Sequence, residues 1–303
     1  MLGSDHSQTL YLQSQIANAL RFQGRFNEAR DLDTYVLERQ RQVLGDDHLL
    51  TLITANNLGA DLRALGEYRE ALQIDRQTYG SFKDEFGEDY QRTLMAASNL
   101  TVSLRLGGYY DAALQLDQDT LDRRRSGFGP EYQFTLLAAV SLANDLRAVG
   151  AFRDSVALLR DTLASYQALL GDDMPDTLRA AIGLAVSLRK AGEQAEAMNL
   201  ARETYDRYER RYGPDYPDTR LCAINLACDY AAANNMSKAL SLVTEVRSGL
   251  EAGLGPDHPD TLVAANNLAC YLRPTGRLDE AHRLAQDTLT RMRSKKADPL
   301  SPP

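Results

Sequence analysis

Two ladders of polar side chains carry most of the chemistry this 303-residue chain could perform. Asn57, Asn99, Asn225 and Asn267 recur on a 42-residue grid, and where that grid holds Gln15 or Ser141, Asn18 or Asn144 stands three residues later. Residues three apart are neighbours on one helical face. A carboxamide offers both a donor and an acceptor, so such a row can pair with the backbone of an extended peptide. The same groups could instead bond to the adjacent repeat and fix its stacking, and the residue types leave both roles open. The second ladder is Arg21, Arg63, Arg105, Arg147, Arg189 and Arg273, broken only by Ala231. Guanidinium groups hold carboxylates bidentately, which suits an acidic partner. A cation near a helix C-terminus is also favourable against the dipole, and Asp33, Asp75 and Asp117 are candidate ion-pair partners. The mainly structural role is preferred for most of the ladder. Arg105, Arg147 and Arg189, near its middle, are the best ligand candidates.

Positions next to these ladders vary, as specificity positions should. They carry Tyr11, Phe22, Met95, Leu106 and Leu137 early in the chain and Arg179 and Lys190 later. The expected groove therefore comprises Asn18, Asn57, Asn99, Asn144, Asn225, Asn267, Arg63, Arg105, Arg147, Arg189 and Lys190. Its expected partner is a protein or peptide with an aromatic or aliphatic anchor and an acidic part.

A repeat must position these side chains. Thr9, Thr51, Thr93, Thr135, Thr177, Thr219 and Thr261 are each 42 residues apart, without insertion or deletion. Fifteen residues after each Thr stands Gly24, Gly66, Gly108, Gly150, Gly192, Asn234 or Gly276. Thirty-six after, in six of the seven units, stands Gly45, Gly87, Gly129, Gly171, Gly213 or Gly255. A period in this range marks stacked supersecondary units. After Thr261, Leu262, Ala265, Leu268, Ala269 and Leu272 form a helical stripe, and after Gly276 so do Leu278, Ala281, Leu284, Ala285 and Leu289. Each unit thus reads as helix A of about fourteen residues and helix B of about eighteen. Glycine, or Asn234 in its place, ends helix A in the left-handed C′ conformation, and Asp260 or Thr261 is the expected acceptor for the amides of the new first turn. The predicted fold is all-α, a right-handed α-solenoid superhelix of seven helix-turn-helix repeats. Residues 1–8 read as the tail of an earlier unit, 9–293 as one solenoid and 294–303 as a disordered tail.

The glycine at the A-to-B turn, the aromatic or leucine two residues on (Phe26, Tyr68, Tyr110, Phe152, Leu278) and the Glu-Ala pairs Glu28-Ala29, Glu70-Ala71 and Glu280-Ala281 resemble the tetratricopeptide repeat (TPR). The 42-residue period, with GPDHPDTL and Asn266-Asn267-Leu268-Ala269, is similar to the kinesin-light-chain subclass. The segments Asn57 to Gly66, Asn99 to Gly108 and Asn267 to Gly276 are similar to arrays in actinobacterial regulators and peptide-maturation proteins. Such arrays often follow a nucleotide-binding STAND-type module. The resemblance implies a non-catalytic scaffold whose A helices line a concave groove. Gly183 and Gln194 in the fifth unit, Ala231 to Asn235 in the sixth and Pro274 in the seventh depart from the pattern. They mark ends of the array or a bend in it.

Composition narrows the choice. A net charge of −8 disfavours nucleic acid as a partner, since phosphate binding needs a basic face. Cys222, Cys228 and Cys270 lack metal-ligand or disulfide spacing, which fits a reducing bacterial cytoplasm. No run of eighteen apolar residues suggests a membrane span. Catalytic and phosphate-loop motifs are missing, and four scattered histidines are too few for a metal cluster, so neither cofactor nor metal is expected. His6, His48 and His258 fall in inter-repeat loops as caps or packing residues. The leading function is a peptide- or protein-binding scaffold, an adaptor or the sensor array of a larger regulator. The alternative is an accessory subunit that presents a substrate peptide to a maturation enzyme. Self-association through the ends of the array stays open.

Overall fold

A computed structural model describes residues 6–296. The chain divides into two compact units, Met1–Val149 and Gly150–Pro303. The first holds α1 (Ser7–Phe22), α2 (Phe26–Leu44), α3 (Leu49–Leu65), α4 (Tyr68–Phe86), α5 (Gln91–Leu106), α6 (Tyr110–Phe128) and α7 (Gln133–Ala148). The second holds α8 (Phe152–Leu170), α9 (Pro175–Ala191), α10 (Gln194–Tyr212), α11 (Pro217–Ala232), α12 (Met236–Leu254), α13 (Pro259–Leu272) and α14 (Leu278–Lys296). The division falls inside the fourth repeat, between its two helices. No strand occurs among the described residues. The expected remnant and tail at the two ends lie largely outside them, although Ser7 begins α1 and Lys296 ends α14.

Within each unit every helix packs on the next, and A helices also touch successive A helices: α1, α3, α5 and α7 in the first, α9, α11 and α13 in the second. Alanine makes the close approach feasible. Ala71, Ala113, Ala197 and Ala239 on the B helices are fully buried. The B helices are each 19 residues long, and the A helices run from 14 to 17.

The turns follow the repeat chemistry. Asn234 has φ 58, the left-handed conformation its repeat equivalents reach with glycine. The glycines that end the B helices, such as Gly45 at φ 96 and ψ 163, occupy a region essentially closed to other residues. The conserved-in-register Thr then turns out to be a clamp. Thr51, Thr177 and Thr261 donate to the carbonyls of Gly45, Gly171 and Gly255 at 2.8, 2.8 and 2.9 Å. The cap is not Asp260 or Thr261 but the loop histidine two or three residues earlier, in the capping role open to it: Nδ1 of His6, His48 and His258 accepts from the amides of Gln8, Leu50 and Asp260, each at 3.2 Å. Where this position is Tyr90, Tyr132 or Tyr216, its ring stacks instead on Phe86, Phe128 or Tyr212. In the seventh repeat α13 stops at Leu272, and Pro274 sits in a short 3-10 turn, Arg273–Thr275.

Candidate functional site

The arginine ladder is built into the stack. In the first unit Arg21 donates through Nη1 to Asp61 Oδ1 at 2.9 Å and to the Asn57 carbonyl at 3.1 Å. Arg63 pairs with Asp75, and its guanidinium reaches Ser103 Oγ and Asn99 Oδ1, both at 3.1 Å. Arg105 pairs with Asp145. Arg147 donates to Asn144 Oδ1 at 2.7 Å. In the second unit Arg189 donates to Asp229 Oδ1 at 2.7 Å and to the Asn225 carbonyl at 3.2 Å, while Arg273 is exposed. The bonds from Arg21 to Asp61 and Asn57, from Arg105 to Asp145 and from Arg189 to Asp229 and Asn225 join one A helix to the next.

Of the three aspartates expected as partners, only Asp75 serves. Asp33 and Asp117 lie fully buried beside a second carboxyl group, Asp61 and Asp145 respectively. Neither has a hydrogen-bond donor on its oxygens. Burial, reinforced by the neighbouring carboxyl group, pushes each up to about 8. Asp61, Asp75 and Asp229 are also raised, by burial first, with their arginines opposing the shift. Asp75 additionally accepts from Ser103 Oγ at 2.6 Å.

The asparagines divide their two ends. Asn57 Nδ2 donates to Ser14 Oγ at 3.3 Å, Asn99 Nδ2 to Asn56 Oδ1 at 2.8 Å and Asn267 Nδ2 to Cys228 Sγ at 3.7 Å, each across adjacent A helices. Asn225 Nδ2 returns to its own helix, at the Leu221 carbonyl, 3.0 Å away. Asn18 Oδ1 accepts from Arg21. The Oδ1 atoms of Asn57, Asn225 and Asn267 stay outside the described hydrogen bonds, and these three residues are half-buried. Asn57 and Asn267 thus bind the neighbouring A helix through nitrogen, and Asn225 binds its own.

The exposed part of the A-helix faces is what surrounds the ladders. In the first unit Tyr11, Leu106 and Leu137 stand 43–44% exposed, and Phe22 82%. In the second unit Leu221 and Val263 are 44% and 45% exposed near the starts of α11 and α13, and Lys190, exposed in the last turn of α9, is in no described ion pair. Arg179 is engaged by Asp176 and Asp218. Sequence reasoning missed the residues that hold the arginines, Asp61, Ser103, Asp145 and Asp229; they stand ten residues after the Thr of units two, three, four and six, and with Ser187 in unit five, which bonds Ser155 instead, this position alternates between Asp and Ser. That alternation has an 84-residue period, visible in the sequence only when two units are read together.

Among the described residues no group of three or more acidic, histidine or cysteine side chains could hold a metal ion, and no helix is long and apolar enough to cross a membrane. The cysteines are unpaired; Cys228 Sγ accepts from the Tyr271 hydroxyl at 3.1 Å.

Helix pairs that repeat every 42 residues and pack in register define a helical-repeat scaffold. Family models described as tetratricopeptide repeat match residues 8–84, 93–131, 132–210, 219–260 and 261–294, and the chain belongs to that family. No curated protein matches it in sequence. Among solved structures it is similar to a Podospora anserina putative kinesin light chain with nearly identical TPR-like repeats, at TM-score 0.57 and 20% identity, covering 69% of this chain and 98% of that one. A Rap protein complexed with competence and sporulation factor gives TM-score 0.75 at 11% identity, covering 95% and 75%. A STAND protein with a tetratricopeptide repeat sensor from Pyrococcus horikoshii gives TM-score 0.53 at 14% identity; the chain covers 42% of that protein, and 95% of its own length is matched. These likenesses establish the fold.

Proposed function

We propose that the chain is a non-catalytic scaffold that holds a protein or peptide segment against the exposed faces of its A helices, as an adaptor or the sensor array of a larger regulator. The observation that carries this reading is the split within each A helix. Ladder residues are consumed by stacking on one side, whereas Leu106, Leu137, Leu221, Val263 and Lys190 remain exposed beside them. Exposed aliphatic side chains next to unused carbonyl acceptors suit an extended segment, with apolar anchors seated on the aliphatics and backbone amides donating to Asn57, Asn225 or Asn267. Lys190 supplies a cation for an acidic residue of that segment. The similarity to a STAND protein's repeat sensor supports the sensor variant of the reading.

The experiment is capture from the source cell, mapping of the bound segment, and titration of that segment carrying an added tryptophan. The chain contains no Trp, so the emission reports the segment alone. Leu221→Asp with Lys190→Ala is expected to weaken binding at least about tenfold, the loss of one anchor and one charge pair. Unchanged affinity in that variant and in Leu137→Asp overturns the assignment. These exposed positions separate binding from folding, which Asn99 or Arg63 substitutions would confuse.

A further inference from the structure

Three joints between repeats are fastened by an arginine on the B helix. Arg123, Arg207 and Arg291 reach back to the loop that leads into their own repeat and donate to Asp89, Asp173 and Asp257 at 2.9, 3.1 and 2.8 Å. Each also bonds the acid one turn earlier on its own helix, Asp119, Glu203 or Asp287. In the sequence Ser81, Ser165 and Gly249 alternate with these arginines. At Gly249 the cation comes from another helix: Arg220, on α11, donates to Asp215 at 2.7 Å and lies against the glycine. At Ser81 no such cation arrives. Asp47, the counterpart of Asp89 and Asp173, is exposed and in no described ion pair.

One pocket is consequently open in the first unit and closed in the second. Between α2, α3 and α4 lies a cavity of about 330 Å³, whereas its equivalent between α8, α9 and α10, three repeats further on, measures about 60 Å³. Leu37, Asp46, Thr51, Leu52, Ala55 and Thr78 line the open pocket, and the same residue types recur in register in the closed one. The largest change in side-chain size is Ser81, where the closed pocket has Arg207.

The open pocket has the shape and charge of the side chain it lacks. Its floor is apolar, with Leu37, Leu52 and Ala55 buried and Ile74 half-buried, while Asp46 and Gln77 are exposed at its edge and Asp47 follows in the chain. An aliphatic stem carrying a cation suits such a gradient. A guanidinium suits it best, because its fixed fork of donors reaches two carboxylates and the Gln77 carbonyl together. The ion pair between Arg41 and Asp46, 3.2 Å, leaves room for a second cation: the equivalent Glu88 accepts from Lys83 at 2.6 Å and from Arg123 as well.

We propose that this pocket binds an arginine side chain presented by a partner protein, which supplies from outside the cation that Arg123 and Arg207 supply from within. The pocket shares no residue with the exposed A-helix faces, so the two sites stand or fall separately. It is a second point of attachment, built by the absence of one arginine from a repeating pattern.

Methyl NMR of the full 303-residue chain labelled at isoleucine tests this, with N-acetyl-arginine amide as the probe. The chain has five isoleucines, and Ile74 lines the pocket. At low ionic strength the Ile74 methyl signal is expected to move saturably, with half-saturation on the order of 1 mM. The uncharged N-acetyl-citrulline amide should leave it in place. Asp47→Asn should weaken binding about threefold, the effect of one exposed ion pair. Ser81→Arg should abolish it by filling the pocket as Arg207 does; the same residue stands at this position in alternate repeats, so helical circular dichroism should be unchanged. No saturable movement of Ile74, equal movement with the citrulline compound, or binding that survives Ser81→Arg overturns the proposal.

Discussion

The two units of the chain share a repeat and differ in what lies between their helices. In Met1–Val149 the B helices bury Asp33, Asp75 and Asp117; at the matching positions Gly150–Pro303 buries Leu159, Ala201 and Val243. The first unit also buries Arg124, whose Nε and Nη1 lack hydrogen-bond partners and whose charge lies over the Phe134 ring, where the second unit has Tyr166, Tyr208 and Leu250. Yet the B helices of both units are 19 residues long, and their A-to-B turns reach the same left-handed conformation at Gly or Asn234. The difference teaches that alanine contacts, Thr clamps and glycine turns set the repeat geometry, while the layer between repeats can be polar or apolar. A buried polar layer is strongest where it is satisfied, and this ties Arg21, Arg63, Arg105 and Arg189 to their neighbours.

The sharpest way to break the comparison is to strand a charge. Arg63→Ala leaves Asp75 buried with only Ser103 to answer it, and should cost about 3–5 kcal/mol in urea unfolding. Arg273→Ala, at the matching but exposed position of the second unit, should change stability by no more than about 0.5 kcal/mol. Equal losses would mean that the ladder's effect is not burial.

Acidity separates the units next. Asp33 and Asp117 bind protons more tightly folded than unfolded, at about 8 against an ordinary value near 4. Their stabilisation is full below pH about 4 and is lost as pH rises toward about 8. Asp61 and Asp75 are raised in the same direction, whereas the second unit has Asp229. Hydrogen exchange, corrected for intrinsic rates, should therefore show the protection of α2 to α6 falling more steeply between pH 5 and pH 9 than that of α9 to α13. Asp33→Asn should flatten the response around α2 and α3. A parallel decline in both units would refute the attribution to the buried carboxyl pairs of the first unit.

The smallest contrast lies in two helix-interior glycines. Gly183 faces only ordinary contact with Leu159, so Gly183→Ala should gain about 0.5–1 kcal/mol of helix propensity. A Cβ at Gly59 would land on Asp75 Oδ1, so Gly59→Ala should instead destabilise the first unit. Thermal melts of the two variants should move in opposite directions.

Much of this was legible in the sequence, because the repeat averages out local ambiguity. The helix pairs, the left-handed Asn234 and the capping histidines follow from chain chemistry seen several times over. The direction of each arginine was not legible. Aspartates on both the same and the following repeat lie within reach, and only packing chooses Asp61 over Asp33 for Arg21. Nor could the sequence tell which asparagines bond across A helices, as Asn57, Asn99 and Asn267 do, and which bond their own helix, as Asn225 does.

The clamp from Thr51, Thr177 or Thr261 to the glycine six residues before it has a wider consequence. At these three joints it makes a self-contained fastening, closed by its own Thr and Gly, whereas Thr93 donates to the Phe82 carbonyl and the Thr135 and Thr219 hydroxyls have no hydrogen-bond partner. Units built on such a fastening are interchangeable parts: one can be duplicated, lost or rewritten on its outer surface while its neighbours keep their own joints. That independence lets a single gene explore new partners one repeat at a time.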